Sequence, residues 1–179
     1  MIKTALYFGS FNPVHIGHIA IANYVVAFTD VKELWLVVTP HNPCKDGNDL
    51  LPEDERLKKV KRAIELLDLP VSVCDIEMQL PRPSYTIHTL QALEEKYPER
   101  QFVIVIGADS LADIERWKAY HEILKREVYV YPRVGYDTKA LCSKYGTRFM
   151  DAPLIDISAT FIRQAISEGK NIKGFLPCR

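Results

Sequence analysis

No apolar run in this chain of 179 residues is long enough to span a bilayer, which excludes a transmembrane helix by hydropathy. An excess of either charge is missing too. Lys plus Arg and Asp plus Glu each total 23, so no broad footprint for nucleic acid or an anionic membrane is expected, and a polyanionic ligand must meet a local positive site. One lysine and then a strand-like stretch open the chain, without a cleavable signal pattern, which makes a cytoplasmic location the expectation. Cys44, Cys74, Cys142 and Cys178 lie far apart with no Cys-x-x-Cys pair, favouring reduced thiols over a disulfide framework or a metal site. No cluster of Asp and Glu marks a permanently held metal. Neither a P-loop nor a G-x-G-x-x-G turn occurs, which removes the two commonest glycine-rich phosphate cradles.

What is present is an alternation of strand-like and helix-like segments. Thr4–Phe8, Leu34–Val38, Val71–Cys74, Phe102–Ile106 and Val128–Tyr131 are short apolar runs of the kind buried on both faces of a parallel sheet, and Arg148–Met150 is a candidate last strand. Between them, Ile16–Val25 suits a helix. Pro52 with Glu53, Asp54 and Glu55 suits a helix start, followed by Leu57, Val60, Ile64 and Leu67 at helical spacing. Lys58, Lys59, Lys61 and Arg62 fall on its other faces as a solvated surface. Tyr85–Tyr97 reads as a helix capped by Ser84, residues 110–125 as one or two helical pieces, and Ser158–Glu168 as a helix ended by Gly169. With no repeat, low-complexity tract or domain boundary, the expected fold is a single α/β domain over residues 1–179. It is a Rossmann-like, doubly wound, mostly parallel sheet with helices on both faces. Ligands in such folds bind beyond the carboxyl ends of the strands, where Gly9, Pro40 and Gly107 fall.

The segment Gly9-Ser10-Phe11-Asn12-Pro13-Val14-His15-Ile16-Gly17-His18 carries the strongest chemical signal. Gly9 allows a turn and close approach of backbone to a ligand. His15 and His18, three apart at a helix start, can share one face. A helix N-terminus offers unpaired N–H groups and partial positive charge, a natural anion site. Strand, turn, helix and two imidazoles together read as a phosphate-handling site.

This segment resembles the signature of the nucleotidylyltransferase superfamily, with its H-x-G-H core at His15–His18. Later blocks resemble the bacterial nicotinate-nucleotide adenylyltransferases in order and over nearly the whole chain. These are Ser84-Tyr85-Thr86 with Thr89-Leu90, Gly107-Ala108-Asp109-Ser110-Leu111 with Trp117, and Ile157-Ser158-Ala159-Thr160-Phe161-Ile162-Arg163. The resemblance implies adenylyl transfer from ATP to nicotinate mononucleotide, giving nicotinate adenine dinucleotide and pyrophosphate in NAD biosynthesis, with Mg²⁺ arriving on ATP. It implies that His15 and His18 contact the ATP phosphates, with His18 stabilising the transition state. It also places Gly9, Ser10, Phe11, Gly107, Asp109, Ser158, Thr160 and Arg163 around ATP. Ser84, Tyr85 and Thr86 go to the nicotinate nucleotide, with Trp117 stacked on the pyridine ring and the backbone amides of Thr86 and Lys118 on its carboxylate. Lys45 is a phosphate candidate or a surface lysine, and Asp109 a sugar ligand, a helix N-cap or both. Asn12 stands where Asp is frequent in the family, Ser10 where Gly is common, and Ala159 where Ser is frequent.

Imidazoles suit the donor role because they can carry a proton near physiological pH. A phosphate nucleophile is already an anion near neutral pH, so alignment and charge stabilisation are the expected tasks. Pantetheine-phosphate adenylyltransferases usually replace the first histidine by Thr, and cytidylyltransferases lack the Ser84–Thr86 and Trp117 blocks. A nucleotide-binding regulator without catalysis is the alternative of a different class. The oligomeric state is open, and a homo-oligomer is compatible with the sequence.

Overall fold

The computed structural model describes residues 1–40, 50–65 and 67–177. Among the described residues six strands form one sheet in the order β3-β2-β1-β4-β5-β6, and every neighbouring pair is parallel. They are β1 (Ile2–Gly9), β2 (Glu33–Val38), β3 (Val71–Cys74), β4 (Arg100–Gly107), β5 (Val128–Tyr131) and β6 (Arg148–Phe149). The chain winds outward from β1 through β2 to β3, then returns to place β4 on the other side of β1. The carboxyl ends of β1 and β4 therefore frame the switch in strand order where such sheets bind ligands. This is the doubly wound, Rossmann-like arrangement expected from the sequence.

Alternation along each strand explains the two covered faces. Ala5, Tyr7, Leu34, Leu36, Val103 and Val105 point to one side, under α1 (Ile16–Phe28) and α2 (Glu53–Glu65). Leu6, Val37, Ile104, Ile106, Val128 and Val130 point to the other. There they meet α3 (Thr86–Lys96), α4 (Ala108–Ala112), α5 (Tyr120–Ile123) and α6 (Thr138–Tyr145). The last helix, α7 (Ala159–Ser167), has its own small apolar cluster at Ile162, Ala165 and Ile172. Among the described residues no helix is long and apolar enough to cross a membrane.

Local chemistry sets the helix ends. Ser158 caps α7 by accepting the Phe161 N–H at 3.1 Å, and Gly169 follows it in the left-handed region at φ +69°. Three details depart from expectation. The N-cap of α3 is Tyr85, not Ser84, whose hydroxyl is buried behind it. Residues 110–125 break into α4, a 3₁₀ turn at Ile114–Arg116 and α5, separated by Trp117–Ala119, where Ala119 has φ +54°. Helix α6 lies in a stretch with no predicted element, although Asp137 caps its start and Gly146 its end.

Candidate active site

The turn after β1 is built by Phe11 rather than by Gly9. Phe11 adopts φ +46°, in the left-handed region, and its ring folds back over the strand end. A Cβ at Gly9 would stand 2.9 Å from Phe11 Cζ, so glycine here makes room for the ring, and Gly9 also lines the cavity beside it. The same reason applies twice more. A Cβ at Gly17 would meet the His15 ring at 3.0 Å, and one at Gly107 would collide with Asp109 Oδ1. Each glycine clears space for a side chain of the site.

His15 is the N-cap of α1 and is 4% exposed. Its imidazole lies 3.7 Å from that of His18, centroid to centroid, and the Phe11 ring closes on His18 edge-on at 5.0 Å. The backbone N–H of His15 donates to His18 Nδ1 at 3.2 Å. An accepting Nδ1 leaves the ring proton on Nε2, so His18 is held as an Nε2–H donor. Burial, helped by the Arg133 guanidinium, pulls the His15 pKa down from 6.5 to about 4. At neutral pH it is a neutral donor.

Arg163 of α7 reaches back across the site. Its Nη1 donates to Asn12 O at 2.9 Å and its Nη2 to Thr160 Oγ1 at 3.4 Å, so the last motif is tied to the first. Asn12 Oδ1 in turn accepts the Leu51 N–H at 3.2 Å. Asp109 lies in the first turn of α4, whose N-cap is Gly107, so the N-cap reading of Asp109 does not hold. Its carboxylate faces Arg133 Nε at 3.7 Å.

These residues line a cavity of about 340 Å³ that includes Gly9, Ser10, Phe11, His15, His18, Asp109, Ser158, Thr160 and Arg163. A second cavity of about 420 Å³ adjoins it, with Gly107, Ser84, Tyr85, Thr86, Trp117 and Lys118 in its walls. The Lys118 ammonium sits 4.6 Å from the centre of the Tyr85 ring, joining the α3 start to the loop after Trp117. The two cavities share Tyr7, Gly9, Ser10, Asp109 and Tyr131. At that junction the Tyr7 and Tyr131 hydroxyls lie 3.3 Å apart. Every predicted site residue among those described therefore lines one cavity or both; Lys45 lies outside the described residues.

Two participants escaped the sequence reading. Arg56 is 1% exposed beneath the β1 turn, and Arg133 faces Asp109 at the cavity wall. For Arg56 a signal existed: residues 56, 60 and 63 form the buried stripe of α2, and a charge on such a stripe is anomalous. Arg133 follows β5 without any comparable mark. Among the described residues no three His, Cys, Asp or Glu side chains gather as a metal site would require.

The model of the cytidylyltransferase-like family matches residues 6–165. A relative from Flavobacterium johnsoniae, named "Probable nicotinate-nucleotide adenylyltransferase", is 44% identical over 179 residues, covering 98% of this chain and 92% of its own. One of the same name from Porphyromonas gingivalis is 46% identical over 176 residues, covering 97% and 89%. In fold, the chain is similar to the Plasmodium falciparum nicotinic acid mononucleotide adenylyltransferase complexed with NaAD. The TM-score is 0.84 at 17% identity, over 98% of this chain and 91% of the other.

Proposed function

The chain belongs to the cytidylyltransferase-like family and, within it, to the nicotinate-nucleotide adenylyltransferases, and on that premise we propose how its two cavities divide the reaction. The reaction moves the adenylyl group of ATP to nicotinate mononucleotide, releasing pyrophosphate and forming nicotinate adenine dinucleotide. The cavity around His15, His18 and Arg163 takes ATP, and the one around Ser84–Thr86 and Trp117 takes the nicotinate nucleotide. The observation that supports this division is their shared wall at the carboxyl ends of β1 and β4, where two phosphates entering from opposite sides would meet.

An oxygen of the mononucleotide phosphate attacks the α-phosphorus of ATP, and the bond from that phosphorus to the bridging oxygen breaks as pyrophosphate leaves. No general base is needed, because the nucleophile is already ionised. Negative charge gathers on the α-phosphoryl oxygens, and a preset donor lowers the barrier by meeting it. His18 Nε2–H is that donor, and neutral His15 gives a second. Arg163, with Ser158 and Thr160 at the α7 start, holds the departing phosphates. Asp109 accepts from a sugar hydroxyl. Trp117 stacks on the pyridine ring, while the amides of Thr86 and Lys118 meet its carboxylate. Mg²⁺ would arrive on ATP, held by its phosphates and water, and would supply neutralisation of phosphate charge. The whole chain acts as one nucleotidylyltransferase domain.

Pyrophosphate release from ATP and Mg²⁺ tests this against a panel of separate acceptors. Release is expected with nicotinate mononucleotide. Release with phosphopantetheine instead, or ATP binding with no release for any acceptor, would refute it.

A further inference from the structure

Arg56 is a fully buried cation whose four hydrogen-bond partners among the described residues are all neutral. From the first turn of α2 its Nε donates to Leu51 O at 2.9 Å, Nη1 to Ser10 O at 2.6 Å and to Thr39 O at 2.7 Å, and Nη2 to Pro40 O at 2.7 Å. Ser10 and Thr39 directly follow the paired ends of β1 and β2, where Gly9 stands opposite Val38. The nearby carboxylate of Glu53 is bound at 2.6 Å by Arg82. Burial lowers the Arg56 pKa below the ordinary guanidinium value, yet a guanidinium keeps its proton in proteins. A buried charge without a carboxylate partner costs free energy, which fold stability alone would remove by substituting an apolar side chain.

Two consequences follow from this geometry. Carbonyls at the carboxyl edge of a parallel sheet present partial negative charge toward the place where a ligand binds. Arg56 draws three of them to itself. The Ser10–Phe11 peptide is trans, so its C=O and N–H point in opposite directions. With Ser10 O directed at Arg56, the Phe11 N–H is directed away from it, and Ser10 and Phe11 both line the cavity containing His15 and His18. The second consequence is long-range: a buried positive charge, with no carboxylate hydrogen-bonded to it among the described residues, lies under a cavity suited to a polyanion, in a chain whose formal net charge is zero.

We propose that Arg56, through the Ser10–Phe11 peptide, is a positioning residue for the ATP triphosphate: it aims the Phe11 N–H at the phosphates and supplies positive charge beneath them. This rests on the placement of ATP in that cavity. Arg56→Lys keeps the charge but loses the fork that reaches four carbonyls, and Arg56→Met keeps bulk without charge. At a temperature where circular dichroism shows each variant folded, the Kd for ATP is expected to rise about tenfold or more in Arg56→Lys and further in Arg56→Met. The KM for nicotinate mononucleotide is expected to stay within about twofold. A folded variant with parental ATP affinity and only a lowered Tm would overturn the proposal. The unaltered protein supplies an independent reading that needs no variant to fold. Adding a non-hydrolysable ATP analogue should shift the Phe11 amide resonance and protect that amide from exchange. An unmoved, unprotected Phe11 amide would also overturn it. Both readings concern ATP alone, so an acceptor other than nicotinate mononucleotide would refute the assigned reaction while leaving them intact.

Discussion

The backbone N–H of His15 donates to Nδ1 of His18, so the first histidine of the pair sets the tautomer of the second. His18 cannot present a lone pair from Nε2 without breaking that bond, which suits the donor role proposed for it. His18→Ala should lower kcat by about two to three orders of magnitude, the usual loss for one donor to a developing oxyanion. The fold should survive, because His18 is half-buried beside an open cavity. Steady-state kinetics on folded variant checks this, and near-parental turnover would remove His18 from the reaction.

His15 behaves differently from an exposed histidine. Its folded-state value of about 4 lies below the ordinary 6.5, chiefly through burial and secondarily through Arg133. As pH falls through about 6.5 the unfolded chain takes up a proton that the folded chain refuses. Stability from this group is therefore lost between about 6.5 and 4, and is constant above that window. Imidazole NMR of the nucleotide-free protein should show His15 still neutral at pH 5.5. A charged ring there would contradict the account of a neutral donor.

Glu77 has the opposite sign. It is 2% exposed and accepts from Thr89 Oγ1 at 2.7 Å, while its Oε2 has no partner among the described residues. Burial raises its pKa above 4.5 despite the hydroxyl bonds from Thr89 and Thr39. The folded state then binds the proton more tightly, and stability falls as pH rises from 4.5 through the folded-state value. Glu77→Gln, neutral at all pH, should raise Tm at pH 8, with the gain shrinking as pH approaches 4.5. Equal Tm for variant and parent across that range would show that ionised Glu77 is not destabilising.

Much of this was legible in the sequence, for identifiable reasons. Buried parallel strands announce themselves as apolar runs, and Ser158 and Gly169 mark α7 by local capping chemistry alone. Helix α6 shows the limit of that reading: Asp137 and Gly146 were present, but its eight residues bury only Thr138 and Cys142 fully, too few for a clear period. Contacts made only by tertiary structure left no trace. The Tyr7–Tyr131 hydroxyl pair joins strands on either side of β4, and the Asp109–Arg133 pair joins α4 to the loop after β5. Ser84 misled because a serine before a helix usually caps it. Here the chain enters one residue later, at Tyr85, and the hydroxyl is buried instead.

Trp117 is half-buried, with its neighbour Lys118 over Tyr85 in the wall of the larger cavity. Loss of one base–aromatic stack is worth about 1–3 kcal/mol, or about 5- to 150-fold in affinity. Trp117→Ala should weaken nicotinate mononucleotide by an amount in that range and leave ATP affinity within about twofold. Separate titrations of the two substrates check it. Equal losses for both would indicate general damage to the fold, and an unchanged nicotinate affinity would place Trp117 outside the pyridine pocket.

Competition among acceptors decides which phosphate the protein adenylylates. The protein is incubated with ATP, Mg²⁺ and an equimolar mixture of nicotinate mononucleotide, nicotinamide mononucleotide and phosphopantetheine, and the products are identified by mass before one tenth of any acceptor is consumed. Nicotinate adenine dinucleotide should dominate, appearing together with an equal amount of pyrophosphate. A mixture dominated by the phosphopantetheine adduct, or by the amide dinucleotide, would contradict the account.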